Sequence, residues 1–393
     1  MPEKSEKIVV FLSNGYAEDN IACCIIKNLL RLSPFLKIKA APFVGEGISY
    51  KKMGVEIIGP CRRMPSDGFV GGKIVYLLKD LNAGILNLYW QKIKALRRER
   101  KNIKCLVCVG DIFLVVVCAF FIKKPVVFLP TAKSDYIKEH YFVEKWLMRR
   151  FCRIVFPRDS LTAFSLKKSR INAVYLGNPM MDCLEITGED FGIDRKNPVI
   201  AILPGSKEEA YDNLLFAAEA ARYIFKKRKA NFLVALSSSL DVEKVKEKMV
   251  KRGWKVSFSS LKNKDVIGFL SPEKAEVKVI RGKFGDVVNI SQVVIGTAGM
   301  ANEQAVGLGK PVVSFAGRGP QITEKFLRTQ RKLLGGAVFI VKREPAVIGD
   351  KVLSLLEDKE ILSRIKETAK ERMGEKGAAP RIAKAIFKEI ASL

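Results

Sequence analysis

Lys207 closes the run Leu203-Pro204-Gly205-Ser206-Lys207, where the apolar Val199–Leu203 gives way to a helical pattern with Glu208 and Glu209 in its first turn. Glycine permits close approach of a ligand. Ser206, the N–H groups of a helix start and Lys207 can together hold a diphosphate at the positive end of a helix. A serine with acidic followers is also an ordinary helix cap, so the same residues also read as a capped strand-to-helix turn, though Lys207 beside the cap favours phosphate binding. A second glycine turn, Gly296-Thr297-Ala298-Gly299, follows the apolar Val293–Ile295 and leads into a helix carrying Glu303 and Gln304. A turn of this kind admits phosphates, and the carboxylate after it is placed to bind ribose hydroxyls. Gly307-Leu308-Gly309-Lys310-Pro311 hints at a Walker loop but fails it: Gln304 stands where the first glycine belongs, and Pro311 replaces the Ser or Thr. The first strand is not followed by G-x-G-x-x-G, which argues against a dinucleotide oxidoreductase.

A third polar break lies near the start. Ser13-Asn14-Gly15-Tyr16-Ala17-Glu18-Asp19-Asn20 separates the apolar Ile8–Leu12 from Ile21, Cys24, Ile25, Asn28, Leu29 and Leu32, which recur at helical spacing. Ser13, Asn14, Gly15 and Glu18 are candidates to line a ligand cleft at the carboxyl end of the first strand; Asp19 or Asn20 also reads as a cap. His140 is the one histidine, so zinc hydrolysis and a Ser-His-Asp triad are disfavoured, and His140 itself reads as a packing or surface residue. A general base then falls to a carboxylate: Asp111, Asp19 or Glu18. Asp111 follows Gly110 at the end of an apolar strand, where burial would raise its pKa, whereas a helix dipole would lower that of a capping Asp19. Asp111 is the expected base, with Asp19 beside it in the catalytic set. With no paired D-x-D, no metal is expected, and cationic side chains and helix ends take over charge stabilisation.

The elements that must position these residues alternate. Apolar β-rich runs at Ile8–Leu12, Ile38–Pro42, Leu106–Val109, Val126–Leu129, Ile154–Phe156 and Ala173–Tyr175 form one series. Val199–Leu203, Phe232–Leu236, Val266–Phe269, Val277–Ile280, Val293–Ile295, Val312–Phe315 and Val338–Ile340 form a second, with helical patterns between. The Gly-, Pro- and Asp-rich residues 177–198 divide the series. The fold class is therefore α/β, as two doubly wound Rossmann-like domains facing a cleft: residues 1–178, a linker at 179–196, and residues 197–393 ending in helices.

Across 393 residues the formal net charge is +28, and residues 1–180 hold 31 Lys and Arg against 14 Asp and Glu. An excess of that size favours anionic partners, whether nucleic acid, phosphorylated substrates or an acidic membrane surface, or else marks a Lys-rich proteome. The eight cysteines are scattered and read as reduced, giving a cytoplasmic chain; the lone Cys105-x-x-Cys108 has no second pair to hold a metal. Residues 105–122 approach the length of a membrane span, but Gly110-Asp111 divides them into a strand and a buried helix. The helical run 71–104, with Tyr89-Trp90 and a basic end, reads either as a core helix or as an interfacial membrane element.

These motifs resemble the lipid-A-disaccharide synthase family, and residues 126–182 its synthase-related branch. Ser13 and Asp19 match the ends of the family's first loop. Gly177, Pro179 and Asp182 match Gly-His-Pro-x-x-Asp with Asn178 for His. Leu203 to Ser206 match Leu-Pro-Gly-Ser-Arg with Lys207 for Arg, and Gly296 to Ala298 match Gly-Thr-Ala-x-Leu-Glu, with Glu303 two residues late and Gln304 able to hold that place. Gly110-Asp111 is what remains of the family's acidic motif. The resemblance implies a B-type glycosyltransferase that passes an amino sugar, acylated or not, from a UDP donor to a glycolipid acceptor with release of UDP. The donor site would be Gly205, Ser206, Lys207, Gly296 to Gly299, Glu303 and Gln304. Partners would be the UDP-sugar, a glycolipid and an anionic membrane surface on its cytoplasmic side, with no nucleic acid and no cofactor. Another UDP-sugar enzyme of the same fold, such as an epimerase, and a non-catalytic basic membrane binder are the alternatives.

Overall fold

The computed structural model describes residues 7–62, 81–257, 266–319 and 321–393. The chain forms two compact units, Met1–Cys183 with Glu375–Leu393, and Leu184–Gly374. The last helix, Ala378–Ala391, thus belongs with the first unit, whereas the sequence pattern had grouped it with the second.

In the first unit, β1 (Ile8–Ser13), β2 (Lys37–Pro42), β3 (Glu56–Ile57), β4 (Ile103–Gly110), β5 (Val126–Pro130) and β6 (Cys152–Val155) build a parallel sheet in the order β3-β2-β1-β4-β5-β6. β1 and β5 are buried at every position, which is why they read as unbroken apolar runs and not as alternating ones. Val10, Leu12, Leu106, Cys108 and Phe128 carry that core, with Leu114, Val117 and Met148 from the covering helices. The strand expected at Ala173–Tyr175 reduces to one parallel bridge, Val155 with Ala173, because the chain turns away into Gly177 and Pro179. β3 has only two residues, too few to show a period.

The second unit repeats the plan. β7 (Val199–Leu203), β8 (Asn231–Leu236), β9 (Lys255–Ser257), β10 (Val266–Leu270), β11 (Glu276–Arg281), β12 (Val293–Gly296), β13 (Val312–Ser314) and β14 (Val338–Ile340) pair in the order β14-β13-β12-β7-β8-β11-β10-β9. β10 runs antiparallel to both of its neighbours, β11 and β9. The order reverses between β1 and β4 in the first sheet and between β7 and β12 in the second. At such a reversal the two following loops diverge to opposite faces, leaving a crevice at the carboxyl ends of the strands. The sequence motifs sit at both reversals. The two parallel sheets therefore make the doubly wound Rossmann-like pair that the sequence pattern implies.

Residues 105–122 resolve as expected: β4, then a helix at Ile112–Val117 that widens into a π turn at Cys118–Ile122. No described helix is long and apolar enough to cross a membrane. Of the helical run 71–104, residues 71–80 lie outside the described residues; the remainder contains the helix Ile85–Arg98, which buries Leu88, Ile93 and Leu96 and exposes Leu86 and Trp90.

Asp182 clips the last helix in place. Its carboxylate accepts the backbone N–H of Gly377 and, at 2.7 Å, that of Ala379, satisfying donors at the start of Ala378–Ala391. Asp182→Ala should therefore cost about 1–2 kcal/mol locally. Hydrogen exchange should quicken across 378–391 and stay unchanged in Pro345–Glu357; equal exchange in both helices would show that the clip contributes nothing.

Candidate functional site

At the reversal of the first sheet, β1 and β4 place Ser13 beside Val109. Gly110 has φ +146°, and a Cβ there would lie 1.8 Å from Asn14 Oδ1, so only glycine lets the two loops meet this closely. Asn14 Oδ1 in turn accepts the Asp111 N–H at 3.4 Å.

The three candidate carboxylates meet different fates. The helix after β1 starts at Tyr16 with Gly15 as its N-cap and no side-chain cap, so neither Asp19 nor Asn20 caps it. Asp19 turns inward instead. Its Oδ1 accepts the Ser13 hydroxyl at 2.6 Å, and Ser13 Oγ lies 2.8 Å from the Tyr50 hydroxyl. Ser13 and Tyr50 are fully buried and Asp19 is 1% exposed. Burial is the main reason that Asp19 is raised to about 7; the neighbouring Glu18 adds to it, while Ser13 and Lys92 oppose. Asp111 is the residue that caps: its Oδ1 accepts the Phe113 N–H at 2.9 Å and starts Ile112–Val117. It stands at the solvent boundary, not in the buried setting expected from sequence, yet desolvation of its carboxyl still lifts its pKa against the pull of Phe113 and Asn14. Glu18 is half-buried, accepts the Thr131 hydroxyl at 3.0 Å, and is raised chiefly by burial.

Further residues gather here without a signal in the sequence. Thr131 follows β5, and Arg158 Nη1 donates to its carbonyl at 3.2 Å. Lys133 Nζ bonds both oxygens of Glu144, at 2.6 and 2.7 Å, and lies 4.0 Å from the Tyr141 ring centre. His140 is buried with Nδ1 3.1 Å from Glu144. Burial lowers its pKa, favouring the neutral ring, in keeping with a packing role.

At the reversal of the second sheet, Leu203 pairs with Gly296 across β7 and β12. Thr297 joins the two turns: its N–H donates to Leu203 O at 2.9 Å and its hydroxyl to Pro204 O at 3.0 Å. Gly205 has φ +104°, and a Cβ there would press on Thr297 O at 3.1 Å. The Gly205–Lys207 turn and the Gly296–Gly299 turn therefore abut, as their spacing alone could not reveal. The helix after β7 begins only at Ala210, with Glu209 as N-cap, so Ser206, Lys207 and Glu208 precede it and Ser206 is no helix cap. The Ser206 carbonyl accepts the Ser239 hydroxyl at 2.8 Å.

Met300–Gly307 follows the second turn, with Gly299 as N-cap and Glu303 in its first turn. Gln304 is buried and Glu303 only partly so, which makes Glu303 the better placed of the two for a ligand. Asn302 and Gln330 brace the turn from behind: Asn302 donates to Gly296 O at 3.2 Å and to Gln330 Oε1 at 3.0 Å, and Gln330 donates to Gly299 O at 2.9 Å. After β14, the Arg343 guanidinium lies over the contacting rings of Phe216 and Phe315, 4.9 and 5.7 Å from their centres. Among the described residues, no group of three or more His, Cys, Asp or Glu is placed to hold a metal ion.

No protein-family model matches the chain, and no curated protein matches it. Solved structures do. The calicheamicin glycosyltransferase CalG4 superposes with a TM-score of 0.63 at 14% identity over 99% of both chains. A putative UDP-N-acetylglucosamine 2-epimerase from Listeria monocytogenes gives 0.59 at 15% over 98% of both. UDP-GlcNAc 2-epimerase from Neisseria meningitidis, bound to UDP-GlcNAc, gives 0.58 at 16% over 97% of this chain and 100% of that one. At such identities the likeness is one of fold: the two Rossmann-like domains of B-type glycosyltransferases and related epimerases.

Proposed function

We propose that this chain is a UDP-sugar-dependent glycosyltransferase that moves an amino sugar onto a glycolipid acceptor at a membrane surface. The carrying observation is the abutment of the Gly205–Lys207 and Gly296–Gly299 turns at a sheet reversal, with Glu303 on the helix that follows. Two glycine turns supply backbone N–H donors, and Lys207 supplies a positive charge for a diphosphate. Glu303, on the next helix, suits the paired hydroxyls of a ribose. On this reading Asp111 takes the proton from the acceptor hydroxyl as that oxygen attacks the anomeric carbon. Lys207 and the turn amides stabilise the charge that gathers on the departing diphosphate, without a metal. UDP-sugar enzymes among the structures that share the fold support the donor class, and the matched Gly177, Pro179, Asp182 and Leu203–Ser206 support the lipid-A-disaccharide synthase branch.

The membrane part rests on an exposed apolar face of the first unit: Leu86 and Trp90 on one helix, Phe120 on the π turn, and Phe142, Val143 and Trp146 on another, with Lys94, Arg149 and Arg150 among them. A second reading, epimerisation of a UDP-sugar, is favoured by the epimerases among the similar folds. A labelled donor separates the two, since an epimerase returns the label as UDP-sugar and a transferase passes it to lipid.

Thermal-shift titration tests the donor site. UDP should stabilise the chain saturably, and Lys207→Ala and Glu303→Ala should each weaken binding by roughly 1–3 kcal/mol, the worth of a charge-assisted hydrogen bond. Unchanged affinity in both variants would remove the donor from the second unit.

A further inference from the structure

A cavity of about 400 Å³ opens at the amino-terminal end of β5 in the first unit. Its walls are apolar: Ala119 and Phe120 from the π turn, Val126 from β5 and Phe151 from the end of Phe142–Phe151. The Phe120 and Phe151 rings meet at a tilt of 59° with centres 5.5 Å apart, and Phe120 remains 51% exposed. The remaining lining residues are Lys123, Lys124 and Arg150, with no carboxylate among them. The crowd of positive charge extends further. Lys124 is held below its usual pKa by desolvation and by the neighbouring charges of Lys7 and Arg100. Ala119 and Phe120 sit on the π turn, whose coil is wider than that of an α-helix. Lys123, at φ +55°, then ends the turn and swings the cationic pair to the mouth.

An apolar recess rimmed by unbalanced cations selects its occupant from both ends. An inorganic anion would leave the phenylalanine walls facing water, and a neutral amphiphile would leave three cations uncompensated. A molecule with one alkyl chain and an anionic head answers both. The surroundings identify its source, since Phe142, Val143 and Trp146 are exposed along the helix that ends at Phe151, as in elements that lie in a lipid interface. We infer that this cavity binds a single anionic lipid of the membrane, one acyl chain laid against the Phe120–Phe151 pair and the head group on Lys123, Lys124 and Arg150. The site is not the acceptor pocket. Asp111 and Thr131 lie beyond the carboxyl ends of β4 and β5, and the five residues of β5 span about 16 Å. The lipid would anchor the first unit and would not react. The inference rests on the membrane part of the proposed function and needs neither the nucleotide nor turnover.

Calorimetric titration of the full chain with dodecyl phosphate, below its micelle-forming concentration, is the test. Saturable one-to-one binding is expected, at least about tenfold tighter than for inorganic phosphate or dodecyl maltoside. Ala119→Trp fills the recess, and Arg150→Glu reverses a charge at an exposed position that folding does not need; each should weaken binding about tenfold or more with the UDP titration unaltered. Flotation with phosphatidylglycerol vesicles should retain the chain and lose Arg150→Glu. Equal binding of dodecyl maltoside, equal binding of inorganic phosphate, or wild-type affinity in Arg150→Glu would each overturn the site. Dodecyl phosphate binding without vesicle flotation would overturn the membrane source. Failure of the UDP titration with lipid binding intact would overturn the glycosyltransferase reading and leave the lipid site standing.

Discussion

Asp111→Asn should lower turnover by roughly 10²–10⁴-fold, the usual worth of a positioned general base, and leave UDP affinity within a few-fold. The substitution is mild for the fold. Asp111 caps Ile112–Val117 through Phe113 N–H, and asparagine caps about as well as aspartate. What the amide cannot do is accept a proton. The carboxyl is suited to that task because partial desolvation lifts its pKa, with the charge of Glu144 adding and Lys133 opposing. Its place at the end of β4, beside Asn14 and at the solvent boundary, also leaves it reachable by an acceptor hydroxyl. Single-turnover measurements with saturating donor would isolate the chemical step. An Asp111→Asn protein with wild-type turnover would pass the role to Glu18, which is half-buried, bonded to Thr131 and also raised by burial.

The strands were legible because both sheets are buried on two faces and spell themselves as apolar runs; β7, β12 and β14 begin where the pattern puts them. The turns after β7 and β12 were legible as glycine-bearing breaks, but their contact was not. That contact depends on β12 pairing with β7, some 90 residues earlier, and on Thr297 bridging to Leu203 and Pro204. The first loop was misread in a specific way. Asp19 looked like a cap because it stands near a helix start, yet Gly15 starts that helix four residues sooner and turns Asp19 onto its inner side. Tyr50 and Lys92, which share its environment, are separated from it by 31 and 73 positions and carry no local mark. The last helix joined the first unit for a similar reason, since its clip is Asp182 on the far side of the second unit's sequence.

Asp19→Asn should stabilise the chain above pH 7 by about 2–4 kcal/mol and change it little near pH 4. An unfolded aspartate ionises near about 3.9, whereas burial raises native Asp19 to about 7, against the opposing Ser13 hydrogen bond. Between those values the folded protein keeps a proton that the unfolded chain has lost. Its contribution is therefore fully present below about pH 4, declines as pH rises, and is gone above about pH 7. Three pKa steps of about 1.4 kcal/mol each set the ceiling. Asparagine removes the titration while its side-chain oxygen still accepts the Ser13 hydroxyl, so the Ser13–Tyr50 contact survives. Chemical denaturation of both proteins from pH 4 to pH 9 should show wild-type stability falling relative to a flatter Asp19→Asn curve, with parallel curves excluding a buried, proton-holding Asp19. The same variant separates the two members of the catalytic set. Ser13 and Asp19 are closed off from solvent, so on the proposed reading a substrate hydroxyl would meet Asp111 and not Asp19. Turnover in Asp19→Asn should consequently stay far above that of Asp111→Asn, and a loss equally deep would make Asp19 the base and require the Ser13 loop to open during the reaction.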